Sequence, residues 1–271
     1  MMKLYALGCL AFTATATATA TLLISPAIKA QQRPQHSEQP LHSQQPQASS
    51  YPQKCERTAY YHIYLSGIHT GYMHRTESWE GTNATVTSQS KASILGIGTQ
   101  YDQQATLTWS EESNSWLTTS FHQVVSGFKS RDMKVSFSDD GSETRVDLDG
   151  EVTEYQNNGE PLRDVDTLSV QIRQYVLDGD KSFALTRQAT DGPEPYDYEV
   201  QDLTTIKIDK WGEIEVIPVK QTGAERVTFW YAPSLDYQLV KARYHGFLLR
   251  GGAELQRYES SCADFTVKEE E

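Results

Sequence analysis

Three histidines lie close together where the chain becomes rich in aromatic residues. His62, His69 and His74 fall within 13 residues, and neutral imidazole is a common zinc ligand. A zinc site would need all three rings to converge, yet His69 is predicted beside a turn, and His62 and His74 on separate strands. A cross-strand pair of His62 and His74 is geometrically allowed, but ordinary strand histidines explain the pattern better. His122 and His245 have no partner nearby in the sequence, so we predict no metal site and no cofactor.

Paired carboxylates are the second group that could do chemistry. Glu111-Glu112 and Asp139-Asp140 could supply the acid and base of a glycosidase, but acidic residues at turns are common in an acidic chain. The run from Asp147 to Glu151 resembles part of a calcium loop, yet its glycine comes too early and its last glutamate is misplaced for an EF-hand. The sequence contains no Gly-x-Ser-x-Gly elbow, His-Glu-x-x-His motif or Walker loop. We therefore predict no catalytic residues.

Two cysteines flank most of the chain. Cys55 precedes the first predicted strand and Cys262 lies in the last strand region, whereas Cys9 belongs to a segment that we expect to be removed. An even number of cysteines in an oxidising compartment favours a disulfide. Closing a loop of roughly 200 residues would contribute at most about 5 kcal/mol by chain entropy. A redox pair would usually show Cys-x-x-Cys spacing, so we predict a structural Cys55–Cys262 bridge.

Aromatic residues could line a cavity or a sugar-binding face. A large β-domain also needs aromatic residues in its core and in cross-strand pairs, and this explains most of them. Phe229, Trp230 and Tyr231 are consecutive, and successive side chains of a strand point to opposite faces. Part of this cluster must therefore face outward or into a cavity. The tryptophans are Trp79, Trp109, Trp116, Trp211 and Trp230.

The N-terminal segment has the features of an export signal. A short positive start precedes an apolar and small-residue run over 4–24, and Ala27 and Ala30 both offer a cleavage site for a signal peptidase. We predict a signal peptide over 1–30. An uncleaved membrane anchor ranks second, because repeated Thr and Ala over 13–21 make the run only weakly hydrophobic.

The remainder divides into a linker, a domain and a tail. Residues 31–54 are mostly Gln, Pro, Ser and His, and such a segment cannot bury enough apolar surface to offset its ordering entropy. We predict a disordered linker over 31–54, a β-meander domain over 55–265 and an acidic tail over 266–271.

The charge of the chain restricts its partners. The net charge is −12, and loss of the signal peptide would take it to −14, since Lys3 and Lys29 are the only charged residues there. Strong negative charge disfavours nucleic acid and anionic lipid surfaces. We predict no nucleic-acid partner, and no stable membrane span once the signal is cleaved.

The domain is predicted to be all-β with one helix. Hydrophobic residues alternate with period two, and turn signals recur about every ten residues, as in an antiparallel meander. Asp149-Gly150 is a strong two-residue hairpin signal. About 12 strands in one domain rarely stay flat, so we expect a barrel or half-barrel, often with an interior cavity. The predicted strands after the helix are 183–190, 196–209, 213–220, 226–231, 237–248 and 253–260.

One segment breaks the strand rhythm. Leu168, Ile172 and Val176 fall on one helical face, Asp164 or Asp166 can cap the start, and Gly179 supplies a stop. A strand is the competing interpretation, because Leu168, Val170 and Ile172 also alternate. The caps and the length of the segment favour a helix.

Two stretches resemble a bacterial family known only as domain of unknown function 3108 (DUF3108). The segment 166–173 is similar to its Asp-x-Leu-Ser…Leu-Arg helix. The segments 227–233 and 237–241 are similar to its Trp-x-x-Pro…Tyr-x-Pro-Val-Lys/Arg pattern, although Leu239 stands where the family commonly has Pro. The opening Tyr64…Gly67…Gly71 pattern also matches, and together the motifs run in family order over most of 58–250. The chain therefore resembles a remote member of the DUF3108 family.

This resemblance implies an exported envelope protein of Gram-negative bacteria, with a curved antiparallel sheet that partly wraps a helix. The family has no established catalytic residues, so it assigns none here. Its shape is similar to that of periplasmic carriers that move lipoproteins in a hydrophobic half-barrel, which is an argument by analogy only.

Three functions are consistent with these observations. The leading hypothesis is a non-catalytic periplasmic protein that binds or carries an apolar or amphipathic envelope ligand, or a lipidated partner. The alternatives are an enzyme that processes envelope polysaccharide, and a structural or assembly factor that docks another envelope protein. The predicted export signal indicates a periplasmic location, and secretion from the cell is the alternative.

Overall fold

The computed structural model describes residues 54–94, 97–128, 130–246 and 250–262. The predicted signal peptide, the linker as far as residue 53 and the acidic tail lie outside the described residues. The described strands are β1 (Cys55–Leu65), β2 (Ile68–Glu80), β3 (Asn83–Ile94), β4 (Ile97–Ser110), β5 (Ser115–Gly127), β6 (Arg131–Phe137), β7 (Glu143–Leu148), β8 (Glu151–Gln156), β9 (Leu162–Arg163), β10 (Ser182–Ala189), β11 (Gly192–Val200), β12 (Thr204–Ile208), β13 (Gly212–Gly223), β14 (Val227–Ala232), β15 (Gln238–Tyr244) and β16 (Gly251–Ser260).

All the strands belong to one sheet, which confirms the predicted meander. Its order is β8-β7-β6-β5-β4-β3-β2-β1-β16-β15-β14-β13-β11-β10-β9, and β12 pairs with β13 beside this path. Pairing is antiparallel except for the short parallel contact between β9 and β10. Because β1 lies between β2 and β16, the first and last strands of the domain are neighbours. The Cys55–Cys262 disulfide joins them at one end.

The sheet curls without closing its hydrogen-bond ladder, so it is barrel-like but open. Its terminal strands are β8 and β9. Side chains bridge the two edges: Thr144 Oγ1 donates to Gln188 Oε1 at 2.7 Å, and Arg131 Nη1 donates to Thr190 Oγ1 at 3.0 Å. These contacts connect β6 and β7 with β10 and the turn after it. Curling therefore brings the edges together through side chains.

Gly71 shows how closely two strands approach. It pairs with Ile63 on β1 and with Ala92 on β3. A Cβ atom at this position would lie 1.9 Å from the carbonyl oxygen of Lys91. Only glycine fits there, because it has no side chain to clash with the neighbouring backbone.

The structure has more strands than the sequence predicted, and the main difference lies at the predicted strand 196–209. That stretch splits into the end of β11 and the whole of β12. The cause is the long strand β13: its residues 212–216 pair with β12, and its residues 219–223 pair with β11. Two short strands thus share one long partner. The start of that strand also differs, because β11 begins at Gly192 and not at the predicted residue 196.

The predicted helix is confirmed as α1 (Val165–Asp178). The Asp164 side chain caps it by accepting hydrogen bonds from the backbone N–H groups of Asp166 and Thr167. Gly179 ends it with a φ of 81°, a left-handed conformation that glycine adopts at little cost. Within the part of the chain that the structure describes, no helix is long and apolar enough to cross a bilayer.

One side of α1 packs against a tryptophan cluster, which we define as Trp79, Trp109 and Trp116. Trp116 meets the other two edge to face, with ring centroids 5.0 Å from Trp79 and 5.5 Å from Trp109. Val170 of α1 and the buried disulfide complete this core. Trp211 and Trp230 lie in a different cluster, where the β12–β13 hairpin packs against β1 and β14–β16.

Candidate binding cavity

A cavity of about 180 Å³ lies between α1 and the strands on its other side. An engineered protein cavity of about 150 Å³ holds benzene, whereas pockets for drug-sized ligands measure roughly 300–1,000 Å³. The cavity therefore has room for a ring or a short chain segment. Most of its wall is apolar, and the larger apolar side chains are Ile63, Met73, Leu168, Ile172, Phe229 and Leu239.

A buried ion pair holds α1 to the sheet at one wall of the cavity. Arg75 on β2 binds the Asp166 carboxylate through Nη1 and the Asp166 carbonyl through Nη2. Ser88 Oγ donates to Asp166 Oδ1 at 3.0 Å, and Gln103 Nε2 donates to Oδ2 at 2.8 Å. Both oxygens of this buried carboxylate are thus satisfied, as a buried charge requires.

The ion pair extends into a chain of alternating charges. Arg75 Nε donates to Glu77 Oε1 at 3.1 Å, and Glu77 Oε2 lies 3.8 Å from Arg57 Nη1. Asp236 then binds Arg57 Nη2 at 2.7 Å and Arg173 Nη2 at 2.8 Å. Since Arg173 lies on α1, the helix is tied to the sheet at both ends of this network.

The network sets the charge states of Glu77 and Arg75. Burial by itself raises the pKa of Glu77, but Arg75, Arg57 and Arg173 together lower that pKa below its ordinary value. Burial likewise acts to lower the pKa of Arg75, and Asp166 and Glu77 raise it overall. Glu77 and Arg75 therefore both stay ionised near neutral pH.

A second ion pair borders the cavity on the opposite side. Arg187 on β10 binds the Glu194 carboxylate, and its Nη1 lies 4.0 Å from Glu225 Oε2. The Tyr196 hydroxyl donates to Glu194 Oε2 at 2.8 Å, and the Arg187 guanidinium lies 5.5 Å from the centroid of the Tyr196 ring. These contacts hold β10, β11 and the β13–β14 turn around the cavity.

Two hydrogen-bond donors of the cavity wall have no partner among the described residues. Tyr231 is 2% exposed and lines the cavity, yet its hydroxyl makes no hydrogen bond there. Burial raises the pKa of Tyr231, so the hydroxyl is a neutral donor near neutral pH. Gln221 is 6% exposed, and its Oε1 accepts from the Tyr198 hydroxyl at 3.0 Å while its amide N–H₂ is left without a partner. Both groups line the cavity, so they are available to a molecule that enters it.

Alternation along β14 divides the three consecutive aromatic residues between the cavity and the opposite face of the strand. Phe229 and Tyr231 line the cavity, whereas Trp230 packs in the cluster with the β12–β13 hairpin, and Arg243 lies 6.0 Å from its ring centroid. The sequence predicted that the three could not share a face. A bulge between Trp230 and Tyr231 shifts the register at this point.

The three histidines do not converge as a zinc site would require. His74 pairs with Tyr60 and stacks on it with centroids 4.3 Å apart, while His62 pairs with Tyr72. The cross-strand pair of His62 and His74, which the sequence allowed, does not form, because the hairpin register offsets the two residues. His62 contacts His69 instead, with ring centroids 4.4 Å apart. Among the described residues, no group of three His, Cys, Asp or Glu side chains is placed to hold a metal.

The other predicted candidates lie in turns or on the surface. The acidic pairs Glu111-Glu112 and Asp139-Asp140 lie in the exposed turns after β4 and β6. Asp149 and Gly150 have φ values of 54° and 92°, which confirms the predicted two-residue hairpin. His122 Nε2 lies 2.7 Å from Asp132 Oδ1, and His245 Nε2 lies 2.9 Å from Thr228 Oγ1.

Sequence reasoning missed the charged groups of the cavity. Arg75 and Glu77 are two residues apart on β2, so they share a face, and that face is buried. Asp166 occupies a buried position of α1, where the sequence suggested only an alternative cap. A charge on an otherwise apolar face was the available signal, and it could have identified each residue but not its partner.

Comparisons with known proteins support the fold. No family model and no curated protein matches the chain. A crystal structure of a β-barrel-like protein of domain of unknown function DUF1849 from Brucella abortus matches 76% of this chain and 97% of its own, with 13% identity and a TM-score of 0.53. A putative exported protein with a YmcC-like fold from Bacteroides fragilis covers 78% of this chain and 99% of its own at 12% identity, but its TM-score of 0.31 carries no argument. The first likeness extends to the fold alone.

Proposed function

We propose that this protein binds an apolar or amphipathic ligand non-catalytically in the cavity between α1 and the sheet. The observation that carries the proposal is an apolar cavity whose wall holds two hydrogen-bond donors, on Tyr231 and Gln221, that have no partner among the described residues. A ligand with an apolar body and a hydrogen-bond acceptor would satisfy both features. Arg75, Asp166 and Glu77 in the wall are already paired with one another, so these charges favour positioning over catalysis.

The geometry restricts the ligand to a slim shape. Tyr231 pairs with Ile217 on β13, four residues before Gln221. The backbones of Tyr231 and Gln221 are thus roughly 13 Å apart along the strands. An elongated molecule could meet one donor at each end, whereas a whole diacyl lipid exceeds the volume of about 180 Å³. One acyl chain or ring system with a polar end is the class that fits.

We propose the envelope of a Gram-negative bacterium as the location of this binding. The predicted signal peptide over 1–30 and the Cys55–Cys262 disulfide support an oxidising compartment outside the cytoplasm. The resemblance to DUF3108, a family of exported envelope proteins, supports the same assignment. Polysaccharide processing and an assembly role remain predictions, because no observation in the described residues favours either.

Native mass spectrometry tests the proposal. The full chain is expressed with its own export signal, and the mature protein is purified from the periplasm without detergent and then extracted with organic solvent. We expect a discrete added mass that extracts as an amphipathic molecule. Ala242→Phe, which fills the cavity, should lose that mass, whereas Ala184→Leu, at an exposed position of β10, should keep it. A bare wild-type chain, or an added mass that Ala242→Phe retains, would overturn the proposal.

A further inference from the structure

Four hairpin turns lie side by side at one end of the sheet. The hairpins β5–β6, β3–β4, β1–β2 and β15–β16 are neighbours in the sheet order, so their turns share one edge. The backbone N–H of Ser66 donates to the Arg250 carbonyl at 2.6 Å, and that of Phe128 donates to the Gly98 carbonyl at 3.2 Å. We define the turn rim as Ser66–Ile68, Gly98, Phe128 and Arg250. Residues 95–96, 129 and 247–249 lie outside the described residues and are not part of it.

The turn rim exposes large apolar side chains. Ile68, the first residue of β2, is 69% exposed and Phe128 is 65% exposed, and Tyr72, just behind the rim on β2, is 56% exposed. These are the three most exposed large hydrophobic residues in the part of the chain that the structure describes. Single exposed apolar residues are common, but the concentration of the three largest exposures at one end indicates a contact surface.

The charge at the turn rim is opposite to that of the chain. The sequence has 36 acidic and 24 basic residues, yet the segments 66–71, 91–101, 126–131 and 245–252 contain no Asp or Glu. Lys91 is exposed on β3 beside the rim, as is Arg250 within it. Screening limits the reach of exposed charges to about 8–10 Å at physiological salt. The described rim residues thus include the cation Arg250 and no carboxylate, whereas Lys91 has Asp102 nearby, since Asp102 accepts from Gln100 Nε2 and Gln100 pairs with Lys91.

We propose that the turn rim docks onto the surface of a lipid bilayer that contains anionic lipids. Ile68 and Phe128 lie three strands apart, roughly 14 Å, so they form separate protruding points. Such points can enter between lipid headgroups, while Lys91 and Arg250 meet the headgroup phosphates. Tyr72 lies at the level where tyrosine is enriched in membrane proteins, with its ring in the interface.

The turn rim lies near one end of the cavity. Ile63 pairs with Ala253, which pairs with Ala242, and all three line the cavity. Leu65, two residues beyond Ile63, pairs with Ile68 of the rim, a step of roughly 7 Å. We infer that docking places this end of the cavity against the bilayer, where an amphipathic ligand can exchange. This exchange rests on the proposed function, whereas the docking does not.

Vesicle co-sedimentation tests the docking. The mature protein should bind vesicles of phosphatidylethanolamine and phosphatidylglycerol more tightly than vesicles of phosphatidylcholine, and added salt should weaken the binding. Ile68→Asp and Phe128→Asp should each lower the partition coefficient about tenfold, because each removes one apolar anchor. Arg250→Glu should lower it about fivefold on the anionic vesicles. The matched control Leu203→Asp, at another exposed apolar position away from the rim, should bind as the wild type does.

Several outcomes would contradict the docking. They are absence of binding to either vesicle, binding by Ile68→Asp and Phe128→Asp equal to that of the wild type, and crosslinking of the rim to an envelope protein with no vesicle binding. The cavity-filled variant Ala242→Phe separates the two proposals. It should lose the bound ligand and still bind vesicles; loss of vesicle binding with an intact fold would show that the rim is not the docking element.

Discussion

The two sides of α1 are built on different principles. On one side the helix meets the tryptophan cluster, and the space is filled by large apolar groups. On the other side the same helix faces a cavity that is bordered by ion pairs and lined by residues of β1–β4, β10, β11 and β13–β16. Filled apolar packing stabilises a fold, whereas empty space forfeits those contacts. The difference indicates that the first side stabilises the fold, and the second side has the space in which we propose that a ligand binds.

The largest effect is expected from truncation of a large side chain on the filled side. Trp116→Ala should lower the free energy of unfolding by about 3–5 kcal/mol, because Trp116 is 2% exposed and contacts both other tryptophans of the cluster. Phe229→Ala should cost about 2 kcal/mol or less, since Phe229 already borders empty space. Urea denaturation of both variants measures this. Equal losses would remove the distinction between the two sides.

The next effect concerns the ion pair that ties α1 to the sheet. Asp166→Asn should cost about 2–3 kcal/mol, because Arg75 would lose its charged partner in a buried site. The matched variant Asp132→Asn removes a carboxylate from an exposed pair with His122 and should leave the stability nearly unchanged, because solvent screens the pair. Comparison of the urea unfolding midpoints of the two variants checks this prediction. If Asp166→Asn were as mild as Asp132→Asn, the helix would not depend on the network.

Added volume should have opposite consequences on the two sides. Ala105→Leu places extra atoms in the filled core and should cost about 1–3 kcal/mol through overpacking. Ala242→Leu adds the same atoms beside the cavity and should stay within about 1 kcal/mol of the wild type. Thermal unfolding of the ligand-free proteins is the measurement. A destabilised Ala242→Leu would show that the cavity has no usable space.

The smallest effect is a pair of opposite pH dependences. The pKa of Glu77 is lowered in the folded protein, so its contribution to stability is present above its unfolded pKa and is lost as the pH falls through the folded pKa. Burial, and then the charge of Asp166, raise the pKa of Asp164 to about 6. Its contribution is therefore present below the unfolded pKa, about 3.9, and is lost as the pH rises through about 6.

Stability measured as a function of pH separates the two carboxyl groups. Glu77→Gln should flatten the loss of stability on the acid side, and Asp164→Asn should remove the decline between about pH 4 and pH 6. If neither variant changed the slope of the unfolding free energy against pH, other titratable groups would control the pH dependence of stability.

Local features of the fold were predictable because they depend on neighbouring residues. Asp164 and Gly179 bound the helix through contacts within a few residues. Asp149-Gly150 forms its hairpin through backbone preferences of two residues. The split of the predicted strand 196–209 was not predictable, because it results from the length of β13.

The candidate site was only partly predictable. The alternation of Phe229, Trp230 and Tyr231 required that some of these side chains face a cavity or the surface, and the structure has Phe229 and Tyr231 in the cavity wall. The charged wall was missed, because Arg75 and Asp166 are 91 residues apart in sequence. No local sequence pattern indicates which two buried charged residues form a pair.

The sequence by itself determined the strand period, the hairpins and the bounds of α1, since each follows from side-chain alternation or from the conformational preferences of a few adjacent residues. Only the tertiary structure decided that Arg75, Asp166, Gln221 and Tyr231 surround one cavity, and that Ile68 and Phe128 lie at the same end of the sheet. The physical reason is that these positions depend on the order and curl of all the strands. That arrangement forms only when distant segments pair and bury their faces together.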